Sequence, residues 1–137
     1  MVSLTSMLLF HFFLPVSSFV LYPWSLLGVI PLLAGIALNL LADTALKKAQ
    51  TTVKPFEVST TLITTGVFRL CRHPMYLGMV LMVSGVAVIL GTYTPLFIAF
   101  IFAVLMELVF VRMEERMLAA QFGDVWDDYR KRVRKWI

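Results

Sequence analysis

Residues 74–111 read PMYLGMVLMVSGVAVILGTYTPLFIAFIFAVLMELVFV and carry a single formal charge, Glu107. A hydrocarbon core of about 30 Å takes roughly 20 helical residues to cross. The apolar runs 75–91 and 95–111 are close to that length, and Gly91-Thr92-Tyr93-Thr94-Pro95 between them is a turn signal. The stretch therefore reads as a helical hairpin in a membrane, with one carboxylate inside its second arm. Working outward, residues 1–42 contain no Asp, Glu, Lys or Arg, and Pro23 divides them into runs 4–22 and 24–42, a second hairpin.

Composition agrees. The chain has 137 residues, 60% of them hydrophobic and 15% charged, with a mean hydropathy of +0.88. A soluble domain carries about 25% charged residues, and a disordered chain is poorer still in apolar ones; both classes are excluded. One cysteine excludes a disulfide framework and a four-cysteine zinc site. Length allows one domain, 1–137. The expected fold class is an all-α membrane protein with about four transmembrane helices in two hairpins (1–42 and 74–111). A cytoplasmic loop (43–73) and a helix extension with a tail (112–137) complete it.

All twelve Lys and Arg fall in two blocks, five in 43–73 and seven in 112–137. Both flank apolar runs, which is a positive-inside signal and places the loop, the N-terminus and the C-terminus in the cytoplasm. The same argument turns the net charge of +4 away from nucleic acid, although a basic chain can suggest it. The first run has no basic n-region and leads directly into another span, unlike a signal peptide. Pro15 and Pro31 are candidate kinks, and Gly28, Ala34, Gly35 and Ala42 suit close helix packing.

The loop 43–73 is too polar to span. It keeps Leu62, Ile63, Val67, Phe68 and Leu70 close together, as an ordered, site-forming loop does. It ends in Arg72-His73-Pro74-Met75-Tyr76-Leu77-Gly78. Pro74 steers His73 away from helix and itself fits a first helical turn. His73 thus stands at a helix mouth, where free N–H groups attract a carboxylate or phosphate; an interfacial cap is the plain alternative.

A second constellation lies on the last apolar helix. An intramembrane carboxylate such as Glu107 is a functional candidate by default. In a regular α-helix Glu114, seven residues on, shares its face. Arg112, Glu115 and Arg116 surround the pair; mutual neutralisation at the interface is the alternative. No metal-ligand spacing is present. The tail places Val125, Trp126, Tyr129, Val133 and Trp136 at near-helical spacing among charges, an amphipathic interfacial helix suited to anionic membrane lipids.

Taken together, Leu62-Ile63-x-x-Gly66, Arg72-His73-Pro74-x-Tyr76-x-Gly78, Glu114-Glu115 and Phe122-Gly123-x-x-Trp126-x-x-Tyr129 resemble the isoprenylcysteine carboxyl methyltransferase and phospholipid methyltransferase superfamily. The resemblance covers residue 51 onward. It implies an integral membrane enzyme using S-adenosyl-L-methionine, held at the cytoplasmic ends of the last two membrane helices. Carried over, His73, Pro74, Met75, Tyr76 and Gly78 line the cofactor, Leu62, Ile63 and Phe68 form the opposite wall, and Glu114 and Glu115 are the acidic pair. Arg112 stands nearest the family's substrate-contacting arginine. Trp126 replaces a common tyrosine.

The expected reaction is direct methyl transfer to a lipid-like or prenylated acceptor, with positioning supplying most of the acceleration. An amine acceptor needs a base, for which Glu107 or Glu114 is the candidate; a carboxylate needs none. Membrane sterol and steroid reductases share an Arg-His-Pro-x-Tyr-x-Gly-like stretch and bind NADPH. Here Met79 stands where they tend to have Glu, and few basic residues besides Arg69 and Arg72 await a 2′-phosphate. A non-enzymatic scaffold explains the hydrophobicity but not the ordered run from Leu62 to Glu115. Oligomeric state is not legible.

Overall fold

The computed structural model describes residues 5–7, 9, 23–49 and 61–137. The run 4–22, with His11 and Pro15, lies almost wholly outside them, as does 50–60 of the loop. Among the described residues the regular elements are helical. A 3₁₀ turn, Trp24–Gly28, leads into α1 (Val29–Lys48); a second, Gly66–Arg69, precedes α2 (Pro74–Leu90). Then come α3 (Tyr93–Leu105), a π-helical turn (Met106–Val111), α4 (Arg112–Phe122) and α5 (Asp124–Arg132).

Two continuous helices are long and apolar enough to cross a membrane, Trp24–Lys48 with 25 residues and Tyr93–Phe122 with 30. Only 17% of each apolar window is buried, whereas the core helix of a soluble protein hides most of its surface. Leu26, Ile30, Leu33, Leu40, Phe97 and Phe100 all stand exposed. This is a lipid-facing surface, and the chain is a membrane protein. The α2 helix, 17 residues long, is apolar but shorter.

The expected kink at Pro31 takes a particular form. The helix changes from 3₁₀ to α at Gly28 and Val29, so Pro31 falls in the first α turn. There its missing N–H leaves no α-helical bond unmade. Beyond the expected end at residue 42, α1 continues to Lys48, where Lys47 pairs with Asp43 at 2.6 Å and lysines suit the helix's negative end.

The chain divides into two compact units, Met1–Ile36 with Gly78–Leu105 and Ala37–Leu77 with Met106–Ile137. In the first, glycines set the helix pairing. A Cβ on Gly28 would meet the Gly85 carbonyl oxygen at 2.5 Å, and one on Gly35 the Gly78 carbonyl oxygen at 2.5 Å. The two pairs run in opposite directions, so the strand of helix before Ile36 and α2 are antiparallel. Glycines seven residues apart on both partners return to nearly one face every two turns. Met7, Val83, Ala87 and Ala99 form the core of this unit, with Leu90, Leu96, Ile98 and Phe102 packed against it. Gly91, at φ 67°, ends α2 by donating its N–H to Ala87 O at 3.2 Å, a left-handed cap. The turn is tighter than the sequence suggested because Pro95 is accepted inside the first turn of α3.

In the second unit the loop and tail fold on each other. Tyr129 donates its hydroxyl to Phe68 O at 2.6 Å. Arg72 N–H bonds to Arg134 O at 3.0 Å, and Arg72 lies 5.5 Å over the Trp126 ring. Trp126 is 1% and Tyr129 3% exposed. Trp126 and Tyr129, expected to lie on headgroups, are thus buried against the loop ahead of α2, while Val125 of the same helix stays exposed. Burial pushes the Tyr129 phenol up to about 12, so it remains a donor. Tyr129→Phe leaves a carbonyl unpaired and should cost about 1 kcal/mol, read as a fall of about 3 °C in the melting midpoint in detergent.

Candidate active site

The site grows from the junction of loop and α2. Pro74 occupies the first position of α2 and is fully buried, which leaves His73 in non-helical backbone just ahead of the helix. The His73 ring is 3% exposed. Its two nitrogens meet two carboxylates, Nδ1 lying 3.6 Å from Glu114 Oε2 and Nε2 3.4 Å from Glu115 Oε1. Burial by itself would lower the His73 pKa, but the two neighbouring carboxylates, Glu114 and Glu115, favour the imidazolium strongly enough to outweigh it and raise it.

Glu115 is the hub. Besides His73, it faces Arg72 Nη1 at 3.0 Å and Lys135 Nζ at 3.4 Å. The Arg72 contact is a close ion pair that is off the N–H direction, so Nη1 makes no hydrogen bond. Among the described residues, Arg72 Nε, Arg72 Nη1 and Glu114 Oε2 are buried polar atoms without hydrogen-bond partners. Such groups are costly to leave bare. A donor and an acceptor left together fit a ligand that is itself both anion and cation.

Around this cluster, Tyr76 lies 5.9 Å from the His73 ring and 6.3 Å from the Phe110 ring. Met75 and Phe68 are half-buried, and Leu62 and Ile63 are half-buried in irregular backbone upstream of Gly66. Gly78 sits one turn further on, its carbonyl against Gly35, where it serves helix approach. Cys71 is 2% exposed; burial raises its thiol pKa, against a smaller opposing bond from the His73 backbone, as for a packed loop residue.

Two relations differ from the sequence reading. The helix mouth at His73 is expected to attract an anion, but the His73 ring lies against the carboxylates of Glu114 and Glu115, and the buried donor without a hydrogen-bond partner is Arg72 Nε. Glu107 and Glu114 also do not act as a pair. Glu107 shares Lys135 with Glu115, at 2.9 and 3.4 Å. The reason is the π turn Met106–Val111, which inserts the equivalent of one extra residue into the helix. The α-helical phase is then shifted by one position, and Glu115 takes the face a regular helix would give Glu114. Arg112 is 57% exposed, its Nε 3.8 Å from Glu107 Oε1.

Lys135 is not singled out by the sequence, and Trp136 only as an interfacial aromatic of the tail. Their only signal was a cation and an aromatic at the end of a basic tail, a pattern shared with any membrane anchor. In the structure Lys135 Nζ donates to Glu107 Oε1 at 2.9 Å and Trp136 Nε1 to Glu107 Oε2 at 3.2 Å. The Glu107 bond, first among several causes, raises the Lys135 pKa despite partial burial.

The chain has recognisable relatives. It is 31% identical over 75 residues to the protein-S-isoprenylcysteine O-methyltransferase of Schizosaccharomyces pombe, over 53% of this chain and 30% of that protein. It is 32% identical over 75 residues to the nickel-cobalt-cadmium resistance protein NccN of Alcaligenes xylosoxydans, over 55% of this chain and 35% of that one. The chain spans about a third of the length of these curated relatives. No solved structure matches it. Residues 24–125, well over half of the chain and including His73, Glu107, Glu114 and Glu115, match phospholipid methyltransferase, and on that match the chain belongs to the phospholipid methyltransferase family.

Proposed function

We propose that the chain is a multi-pass membrane methyltransferase that takes its methyl group from S-adenosyl-L-methionine and passes it to a lipid-like or prenylated acceptor at the cytoplasmic face. The observation that carries the reading is that Arg72 Nε and Glu114 Oε2, both buried beside His73, have no hydrogen-bond partner, in a chain of this family. The amino-acid end of the cofactor is a carboxylate with an ammonium, and these atoms suit one each. Arg72 binds the carboxylate, and Glu114 takes the ammonium. His73 holds Glu114 and Glu115 in place, while Leu62, Ile63, Phe68, Met75 and Tyr76 provide apolar and aromatic surface. The cofactor, when bound, supplies an electrophilic methyl group on a sulfonium.

Residues of this chain then exclude water and align the acceptor. A carboxylate acceptor needs no base, and Glu107, with both oxygens engaged by the tail, suits that case better than the removal of a proton from an amine. Four membrane spans, with both basic blocks and both termini in the cytoplasm, complete the topology, and membrane lipids surround it. The reductase reading is weaker: Met79 stands where those enzymes tend to have Glu, and few basic residues besides Arg69 and Arg72 await a 2′-phosphate.

Calorimetry on detergent-purified protein with S-adenosylmethionine, S-adenosylhomocysteine and NADPH tests the reading. Saturable binding of the first two is expected, weakened about a hundredfold by Glu114→Ala, which removes about 2.7 kcal/mol of interaction. Binding of NADPH alone, or of none of the three, overturns it.

A further inference from the structure

Glu107 is a carboxylate in an apolar helix, yet the tail holds it at two points. Lys135 Nζ lies 2.9 Å from Oε1 and Trp136 Nε1 lies 3.2 Å from Oε2. The tail is itself tied down just upstream, where Arg134 O accepts the Arg72 N–H at 3.0 Å. Consecutive residues thus grip the two oxygens of one side chain, and a carboxylate gripped at both oxygens cannot rotate. The same ammonium also reaches Glu115 Oε2 at 3.4 Å.

We propose that Lys135 is a positioning residue: it pins Glu107 in a fixed orientation beside the Glu115 cluster without itself belonging to the cofactor cluster. The inference rests on the reading of the site given above. The contacts are unequal in a way that separates the two roles. Without Lys135, Glu115 keeps Arg72 at 3.0 Å and His73 at 3.4 Å, so the cofactor cluster remains neutralised. Glu107 keeps only the Trp136 indole and the guanidinium of Arg112, which is 3.8 Å away and 57% exposed. An exposed pair at that distance holds a side chain weakly. The π turn is what makes the grip possible, since it rotates Glu107 onto the Glu115 side of the helix, where the tail passes.

The test uses Lys135→Met, Lys135→Arg and Trp136→Phe in detergent-purified protein, with two readouts. The first is modification by dicyclohexylcarbodiimide, an apolar reagent for membrane carboxyl groups, quantified at Glu107 by mass spectrometry. Lys135→Met should raise labelling at least fivefold, Trp136→Phe by less, and Lys135→Arg should restore the wild-type level. The second is the affinity for S-adenosylhomocysteine, which should stay within threefold of wild type in Lys135→Met. Unchanged labelling in Lys135→Met, or failure of arginine to restore it, shows that Lys135 does not pin Glu107. A loss of S-adenosylhomocysteine binding in Lys135→Met as steep as in Glu114→Ala puts Lys135 in the cofactor cluster and also overturns the proposal. Wild-type protein that binds no S-adenosylhomocysteine overturns the proposed function instead, and the labelling still decides whether Lys135 holds Glu107.

Discussion

His73→Ala is expected to lose S-adenosylhomocysteine binding by at least about a hundredfold, equivalent to about 2.7 kcal/mol, and to melt several degrees below wild type. The ring is 3% exposed and contacts both Glu114 and Glu115. Breaking a fully buried ionic cluster by removing one partner costs about 3–5 kcal/mol. The Glu114 side chain is 42% exposed, so solvent screens part of this, and a stability loss of about 2 kcal/mol is the better figure. The binding loss is larger because Glu114 is then no longer held.

The pH dependence carries the same logic. The folded-state pKa of His73 lies above its ordinary value of 6.5. The imidazolium therefore contributes its full stability below about pH 6.5, and the contribution disappears as pH rises through the folded value. Melting of wild type and His73→Gln between about pH 6 and pH 9 measures it. The wild-type advantage should shrink with rising pH; a constant difference would show that the charge on His73 does no work.

Gly85→Val should be strongly damaging although it lies outside the site. A Cβ at Gly85 falls 2.7 Å from both Gly28 O and Leu32 N. These are backbone atoms that cannot swing aside, so the two helices must separate. Overpacking usually costs about 1–3 kcal/mol. In a membrane, helix pairs depend on close contact in place of a hydrophobic drive, so about 3 kcal/mol is expected here. The readout is loss of the monodisperse peak in detergent gel filtration together with earlier unfolding in a dodecyl sulfate titration. Gly66→Ala is the control. Nothing lies within 4 Å of a Cβ there, and only the positive φ of 62° is strained, at about 1 kcal/mol. Equal damage from both variants would mean that close helix approach at Gly85 is not what holds the pair together.

Much of the site was legible because it is local. Arg72-His73-Pro74 is a continuous stretch in which proline dictates both the end of the loop and the start of α2. Glu114 and Glu115 stand out as acidic neighbours at the end of an apolar helix. The relation between Glu107 and the acidic pair is not legible, because a hundred-degree repeat does not hold across a segment that is π-helical, and nothing in Met106–Val111 announces the change. The sequence shows Arg72 as part of a motif and not as a buried donor, since its burial depends on Trp126, more than fifty residues away.

Apolar length and charge placement, summed along the chain, determined by themselves that the protein is helical and belongs in a membrane. The order of short motifs determined its family. Those properties are additive over neighbouring residues, so no three-dimensional information was needed. Which carboxylate faces which cation was decided only by the tertiary structure. That pairing depends on a one-residue change of helical phase at Met106–Val111 and on a tail whose Lys135 and Trp136 return to Glu107 across 28 and 29 residues, and neither the phase nor the return is written in any local stretch.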